Sequence, residues 1–331
     1  MPLLRPAFST ARRTARRACT NAVRAGAVAG LIVVLAFPAA AQQTAEPVPL
    51  PPDSARFFLY DARLATLDTT RQVALAEPAP RLNYWRITAV AGLSAGAGLA
   101  VLETQRRRWW ADRNPRFRIL NDWDYVRWSD KAGHVYSSSI FTRFYRTSFR
   151  WAGLSERDAA LWGAGAAWTQ MFYYEVLDGF GPLWGFSPGD LAANTLGVGF
   201  TTAKEFVPAL EPFSVKASYW PSGWEGKNFT DDYAGQTLWL TANLHGLAPD
   251  GALKEALPEW LNIAVGYGAR DLDEREYLTT STVYLALDIE PTILPFEGKV
   301  WDTIAGWLHY GHFPAPGIRL TPRPAFVLVA Y

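Results

Sequence analysis

The chain has 331 residues, 19% of them charged, and a formal net charge of +1, which bounds it to one large domain or two modest ones. Its first 41 residues carry six arginines and no acid, so their removal leaves a charge of −5, and a mildly acidic remainder argues against nucleic acid as a partner. The only cysteine, Cys19, falls in the same segment, which excludes thiol catalysis, disulfides and cysteine-ligated zinc from the rest.

Residues 1–41 read as a secretory signal. Arg5 to Arg24 form a basic region, Ala27 to Phe37 an apolar one, and Ala39-Ala40-Ala41 before Gln42 a small-residue cleavage site. Cys19 precedes the apolar stretch and is not placed for lipid attachment. The expected location is the periplasm or outer membrane of a Gram-negative-type envelope. Residues 42–81, with Pro47, Pro49, Pro51 and Pro52, read as a proline-rich tether.

Residues 82–209 form a helical domain of about four apolar helices. Ile87 to Leu102 is almost continuously apolar and is followed by Arg106-Arg107-Arg108-Trp109-Trp110. It reads either as a core helix or as a slightly short membrane-spanning one. A second helix is expected from Asp130 to Phe149. A third begins at the capping-box pattern Ser155-Glu156-Arg157-Asp158 and runs to about Leu177, where Gly179 and Gly181 stop it. A fourth starts with Ser187 as cap and Pro188 in the first turn, and ends before Pro208. Short connections suggest a bundle.

Residues 210–331 switch to a two-residue alternation. Leu238, Leu240, Ala242 and Leu244 alternate with Thr237, Trp239, Thr241 and Asn243, and similar runs follow at 261–268 and 282–289. The pattern predicts an antiparallel β meander of five or six strands, and so an α+β fold. The aromatic final residue, Tyr331, is like the end of an outer-membrane barrel, but the strand count falls below eight. An open sheet packed on the helices is the preferred reading.

The helical domain carries polar residues where apolar ones are expected. Asp130, Lys131 and His134 open the second helix, Glu175 and Asp178 close the third, and Ser187, Asp190 and Asn194 open the fourth. Buried charges of this kind must pair, bind a metal or face a wet cavity. If the helices bring them together, Asp130, His134, Glu175, Asp178 and Asp190 make a ligand set of hard oxygens and one imidazole for a single divalent metal. Alternatively, His134, Glu175 and Asp178 form an acid–base group with Lys131, Ser187 and Asn194 as binding contacts. The bland reading has Asp130 and Asp190 as capping residues and His134 as a hydrogen-bonded core residue. Glu175 and Asp178 oppose the helix dipole, so capping does not explain them. Arg143, Arg146 and Arg150 form a stripe that fits either lipid phosphate or solvent. His245, His309 and His312 have no acids nearby in sequence and read as structural.

In the motifs Asp130-Lys131-x-x-His134, Glu175-x-x-Asp178-Gly179, Trp184-Gly185-Phe186-Ser187-x-Gly189-Asp190 and Asn194-x-x-Gly197, the chain resembles the YfiM-like family. These are bacterial envelope proteins of unassigned role. More distantly it is similar to VanZ-like membrane proteins, which bear on glycopeptide susceptibility and envelope lipids. The resemblance implies a membrane lipid or cell-wall intermediate as partner and names no reaction. The alternative is a structural envelope protein whose polar network only fixes helix packing.

Overall fold

The computed structural model describes residues 82–108, 116–182, 184–222, 230, 232–270 and 280–330. The expected signal and tether, residues 1–81, lie outside them, as does Tyr331. The fold is α+β, with four long helices, α1 (Tyr84–Arg108), α2 (Ser129–Trp151), α3 (Glu156–Asp178) and α4 (Pro188–Ala203), ahead of a six-stranded sheet. Among the described residues, no helix is long and apolar enough to cross a membrane.

Residues 82–99 and 149–156 form one compact unit. The Asn83 amide donates to the Ala152 carbonyl at 2.9 Å. The Arg86 guanidinium donates to the Trp151 carbonyl at 2.9 Å and lies over that indole, 5.1 Å from its centroid. Arg150 ends the predicted arginine stripe here, paired with Glu156 at 2.6 Å.

The remaining residues form the second unit. Its helices approach one another through glycine. A Cβ at Gly197 of α4 would meet Ser138 Oγ at 2.1 Å and the Val135 carbonyl at 2.3 Å, and one at Gly163 of α3 would meet the Arg146 amide at 2.7 Å. α2 is therefore held against both neighbours at backbone distance. Its contact face carries hydroxyls: Ser138, Ser139 and Thr142 are almost fully buried. Each donates to the carbonyl four residues back, at 2.7 to 2.8 Å, so burial leaves no hydroxyl proton unused. α4 starts where the sequence predicts, with Ser187 Oγ accepting from the Asp190 amide at 3.0 Å and Pro188 in the first turn.

The sheet is a plain meander, β1 (Phe213–Tyr219), β2 (Gln236–Asn243), β3 (Leu261–Arg270), β4 (Thr280–Ile289), β5 (Ala315–Arg319) and β6 (Ala325–Ala330), each antiparallel to the next. Two short helices, α5 (Leu244–Leu247) and α6 (Ala252–Ala256), join β2 to β3, and α7 (Lys299–Leu308) lies between β4 and β5. The sheet curls. The segment leading into β5 pairs with β1, since the Ala217 amide donates to the Tyr310 carbonyl and the His312 amide to the Ala217 carbonyl, both at 2.9 Å.

The inward face of this curl is the polar one. Lys216, fully buried, donates to Asp288 and Glu290, both at 2.7 Å. Asn262 donates to the same two carboxylates at 2.8 and 2.6 Å. His309 lies 2.7 Å from Glu290, and His312 lies 2.9 Å from Asp288 while stacking on Trp239 at 3.7 Å. The acids of these two histidines thus come from the end of β4 and the residue after it, and were invisible to local sequence. Small residues make room: the inner row Ser214, Thr241, Ala264, Ala286, Gly317 and Val327 runs strand to strand, and a Cβ on Gly317 would meet the Ala286 Cβ at 2.6 Å.

Burial alone would raise both carboxyls. His312, Lys216 and Asn262 hold Asp288 down to about 2, and His309 and Lys216 hold Glu290 down to about 2. A carboxyl depressed in the fold adds stability above its unfolded value and loses it as pH falls. Stability from this cluster should therefore disappear between about 4.5 and about 2. Lys216→Met leaves two buried carboxylates without their cation and should cost about 3–5 kcal/mol in urea unfolding at neutral pH.

Candidate functional site

Four segments deliver the polar residues of the helical region to one place. The first turn of α2 contributes Asp130, Lys131 and His134, α3 contributes Glu175 near its end, and α4 contributes Asp190 and Asn194. The fourth segment, residues 116–128, brings Asp122. It is fastened to the α3–α4 connection by Arg118, whose Nη2 donates to the carbonyls of Gly181, Pro182 and Trp184 at 2.7, 2.9 and 2.5 Å. It enters α2 through Val126, Arg127 and Trp128, all at positive φ (47°, 52° and 69°), a backbone region that is costly for a β-branched residue such as Val126.

Lys131 is at the centre. Its Nζ lies 2.6 Å from Asp190, 2.7 Å from Asp130 and 3.1 Å from Asp122. Ser187 Oγ donates to Asp122 at 2.5 Å, and Tyr233 donates from its hydroxyl to Asp130 at 2.6 Å. His134, a quarter exposed, turns Nδ1 toward Asn194 Oδ1 at 3.1 Å and Nε2 toward Asp190 and Asp130 at 3.6 and 3.8 Å. Asn194 in turn donates to Glu175 Oε1 at 3.2 Å, which lies 3.5 Å from His134 Nδ1. The other oxygen, Glu175 Oε2, is buried with no hydrogen-bond partner among the described residues.

The electrostatics divide these groups. Burial, reinforced by the charges of Asp190, Asp178 and Asp130, pushes the Glu175 carboxyl up to about 8 against the opposing pull of His134. Burial and Asp130 raise Asp190 to about 6, against His134 and Lys131. For Asp130, burial is outweighed by His134 and Lys131, and its carboxyl sits below the ordinary value. Burial opposes the His134 imidazolium, but Asp130, Asp190 and Glu175 outweigh it and raise its pKa. The site therefore favours the neutral form of Glu175 and the charged form of His134, the kind of separation that assigns acid and base roles.

Of the residues expected from sequence, Asp130, Lys131, His134, Glu175, Ser187, Asp190 and Asn194 meet here. Asp178, at the end of α3, acts on Glu175 through its charge. Arg143 and Arg146 line a separate cleft with Lys204, Ser214, His309 and Tyr310. Arg146 is paired there with Glu205 at 2.5 Å, and Arg143 lies over the Tyr310 ring. Asp122, Arg118 and Tyr233 were missed. Asp122 and Arg118 lie in an irregular segment, where no periodicity marks a face.

One ligand atom each from Asp130, His134 and Asp190 falls within 4.8 Å of the others, a spacing that one divalent ion can bridge. Lys131 already pairs with Asp190 Oδ1 and with Asp130 Oδ2, while Asp130 Oδ1, the oxygen turned toward His134, takes the Tyr233 hydroxyl. A metal there would compete with the ammonium at Asp190 and with the Tyr233 hydroxyl at Asp130.

Residues 125–205 match a family described as a predicted periplasmic lipoprotein (DUF2279), the span that contains α2, α3 and α4. No curated protein and no solved structure matches the chain. The protein is an exported protein of the cell envelope, and the match names no reaction.

Raised carboxyls titrate in the opposite sense from the cluster on the sheet. Above about 4.5 the unfolded chain ionises Glu175 while the folded chain keeps it neutral, so stability falls as pH rises toward about 8. Glu175→Gln should remove this slope. Unfolding free energy measured by urea between these limits should fall with pH in the wild type and be flatter in the variant.

Proposed function

We propose that this cluster is an acid–base site that binds and acts on the polar end of an envelope lipid or cell-wall intermediate. Glu175 carries the reading. A network that only fixes helix register satisfies its buried oxygens, whereas Glu175 is 1% exposed and its Oε2 has no hydrogen-bond partner among the described residues. It is the proton donor, and His134, the more exposed of the two, turns toward the ligand an imidazole whose charged form Asp130 and Asp190 favour. Lys131 and Asn194 hold the carboxylates and the ring in position. Tyr125 packs edge-on against Trp184 at 5.8 Å and Tyr233 at 6.1 Å. Amphipathic rings beside a carboxylate site suit a ligand with both polar and apolar faces. The YfiM-like and VanZ-like likeness of the same motifs supports an envelope substrate.

The test is thermal unfolding of the full chain, wild type and Glu175→Gln, titrated with phosphatidylglycerol in micelles and with soluble cell-wall disaccharide peptides. One of these should stabilise the wild type, by about 2.7 kcal/mol at a hundredfold excess over Kd, and leave Glu175→Gln unmoved. Without ligand the variant should melt no lower than the wild type. If Glu175→Gln and His134→Gln both melt lower and neither ligand shifts the wild type, the network is structural and the proposal fails.

A further inference from the structure

The sheet is inside out for a protein surrounded by water. Its inner face holds Lys216, Asp288, Glu290 and Asn262, all paired. Its outer face carries a row that crosses all six strands through successive pairs, Val215, Leu240, Val265, Leu285, Ile318 and Phe326. From Leu240 onward these side chains are between 37% and 68% exposed. One step along the strands, Ile263 and Leu287 pair and are also exposed. One step the other way the face becomes covered, at Ala217 and Leu238. An ordinary antiparallel sheet buries its apolar face and wets its polar one. Here the inner face is taken, so the apolar face needs a different environment.

We propose that this outer face lies against the acyl chains of a membrane leaflet. The surface offers no donor, acceptor or charge along its rows, whereas a protein interface of that size carries a hydrogen bond every 100–200 Å² or so. A second element points to the same surroundings: α7 exposes Val300, Ile304, Trp307 and Leu308, the spacing of one helix face, as in helices that lie in a membrane interface. The mode is lying on the membrane and not crossing it. With Leu320, one step the other way at the end of β5, the bare rows span about 14 Å, short of the roughly 25 Å apolar band of a spanning barrel. The outer edge of β6 has no strand partner among the described residues, and an open edge is not tolerated in the hydrocarbon interior. This surface is independent of the acid–base reading.

Cys19 is the only cysteine, so a Cys19→Ser background allows single-site labelling of the full chain. Leu285→Cys on the outer face and Asp250→Cys, which is exposed in a loop, would each carry an environment-sensitive fluorophore. Each protein is then mixed with vesicles of phosphatidylethanolamine and phosphatidylglycerol. The protein should float with the vesicles. The Leu285→Cys label should shift to the blue and be quenched by nitroxides on the acyl chains, while the Asp250→Cys label should answer only to aqueous iodide. Leu285→Arg, with its fold checked by circular dichroism, should bind vesicles roughly thirtyfold more weakly. The proposal is overturned if the protein stays off the vesicles. It is equally overturned if the Leu285→Cys label remains open to iodide on bound protein, or if it is shielded in a lipid-free dimer, which would make the face a contact between copies.

Discussion

One ammonium organises the helical region. Lys131 collects carboxylates from the segment before α2, from α2 itself and from the start of α4, and each of those acids has a second task. Asp122 takes the Ser187 hydroxyl proton, and the oxygen of that hydroxyl caps α4 through the Asp190 amide. Asp130 takes the hydroxyl of Tyr233, from the approach to β2. Removing the ammonium would leave three acids facing one another in a largely dry pocket, where like charges are least tolerated. The imidazole of His134 is placed by the same carboxylates. Its charge is a consequence of how the chain closes around Lys131.

The described residues contain two buried ionic clusters of opposite temper. On the sheet, one lysine and two histidines serve two carboxylates, and both acids are held low. Among the helices, carboxylates outnumber the cations, and Glu175 and Asp190 are driven up. The difference lies in the supply of cations: on the sheet Lys216, His309 and His312 lie within ion-pair distance of Asp288 and Glu290, while among the helices Lys131 and His134 stand against Asp122, Asp130, Glu175 and Asp190.

Much of this was legible in the sequence. The Ser187-Pro188 start of α4 is read correctly to the residue because the cap is a local interaction. The meander follows from the two-residue alternation. Glu175 stands out because its position opposes the helix dipole. Asp178, three residues on at the end of the same helix, acts on Glu175 through its charge. Asp122 and Arg118 lie in irregular chain. His309 and His312 seemed to lack acids because Asp288 and Glu290 reach them only through the strand-to-strand order. Alternation shows that a strand has two faces and leaves open which one is inside. That depends on what the sheet closes around.

The inner row of the sheet, Ser214, Thr241, Ala264, Ala286, Gly317 and Val327, sets unequal rules for change on the two faces. Inside, a single added methyl group has nowhere to go, as the contact of Gly317 with Ala286 makes plain, and overpacking a closed space is costly. Outside, aliphatic side chains of different size can replace one another without disturbing a neighbour. Sequence drift in this protein should therefore run along one side of every strand. Its lineage would keep a record of small residues on the inside while the outer surface changed more freely.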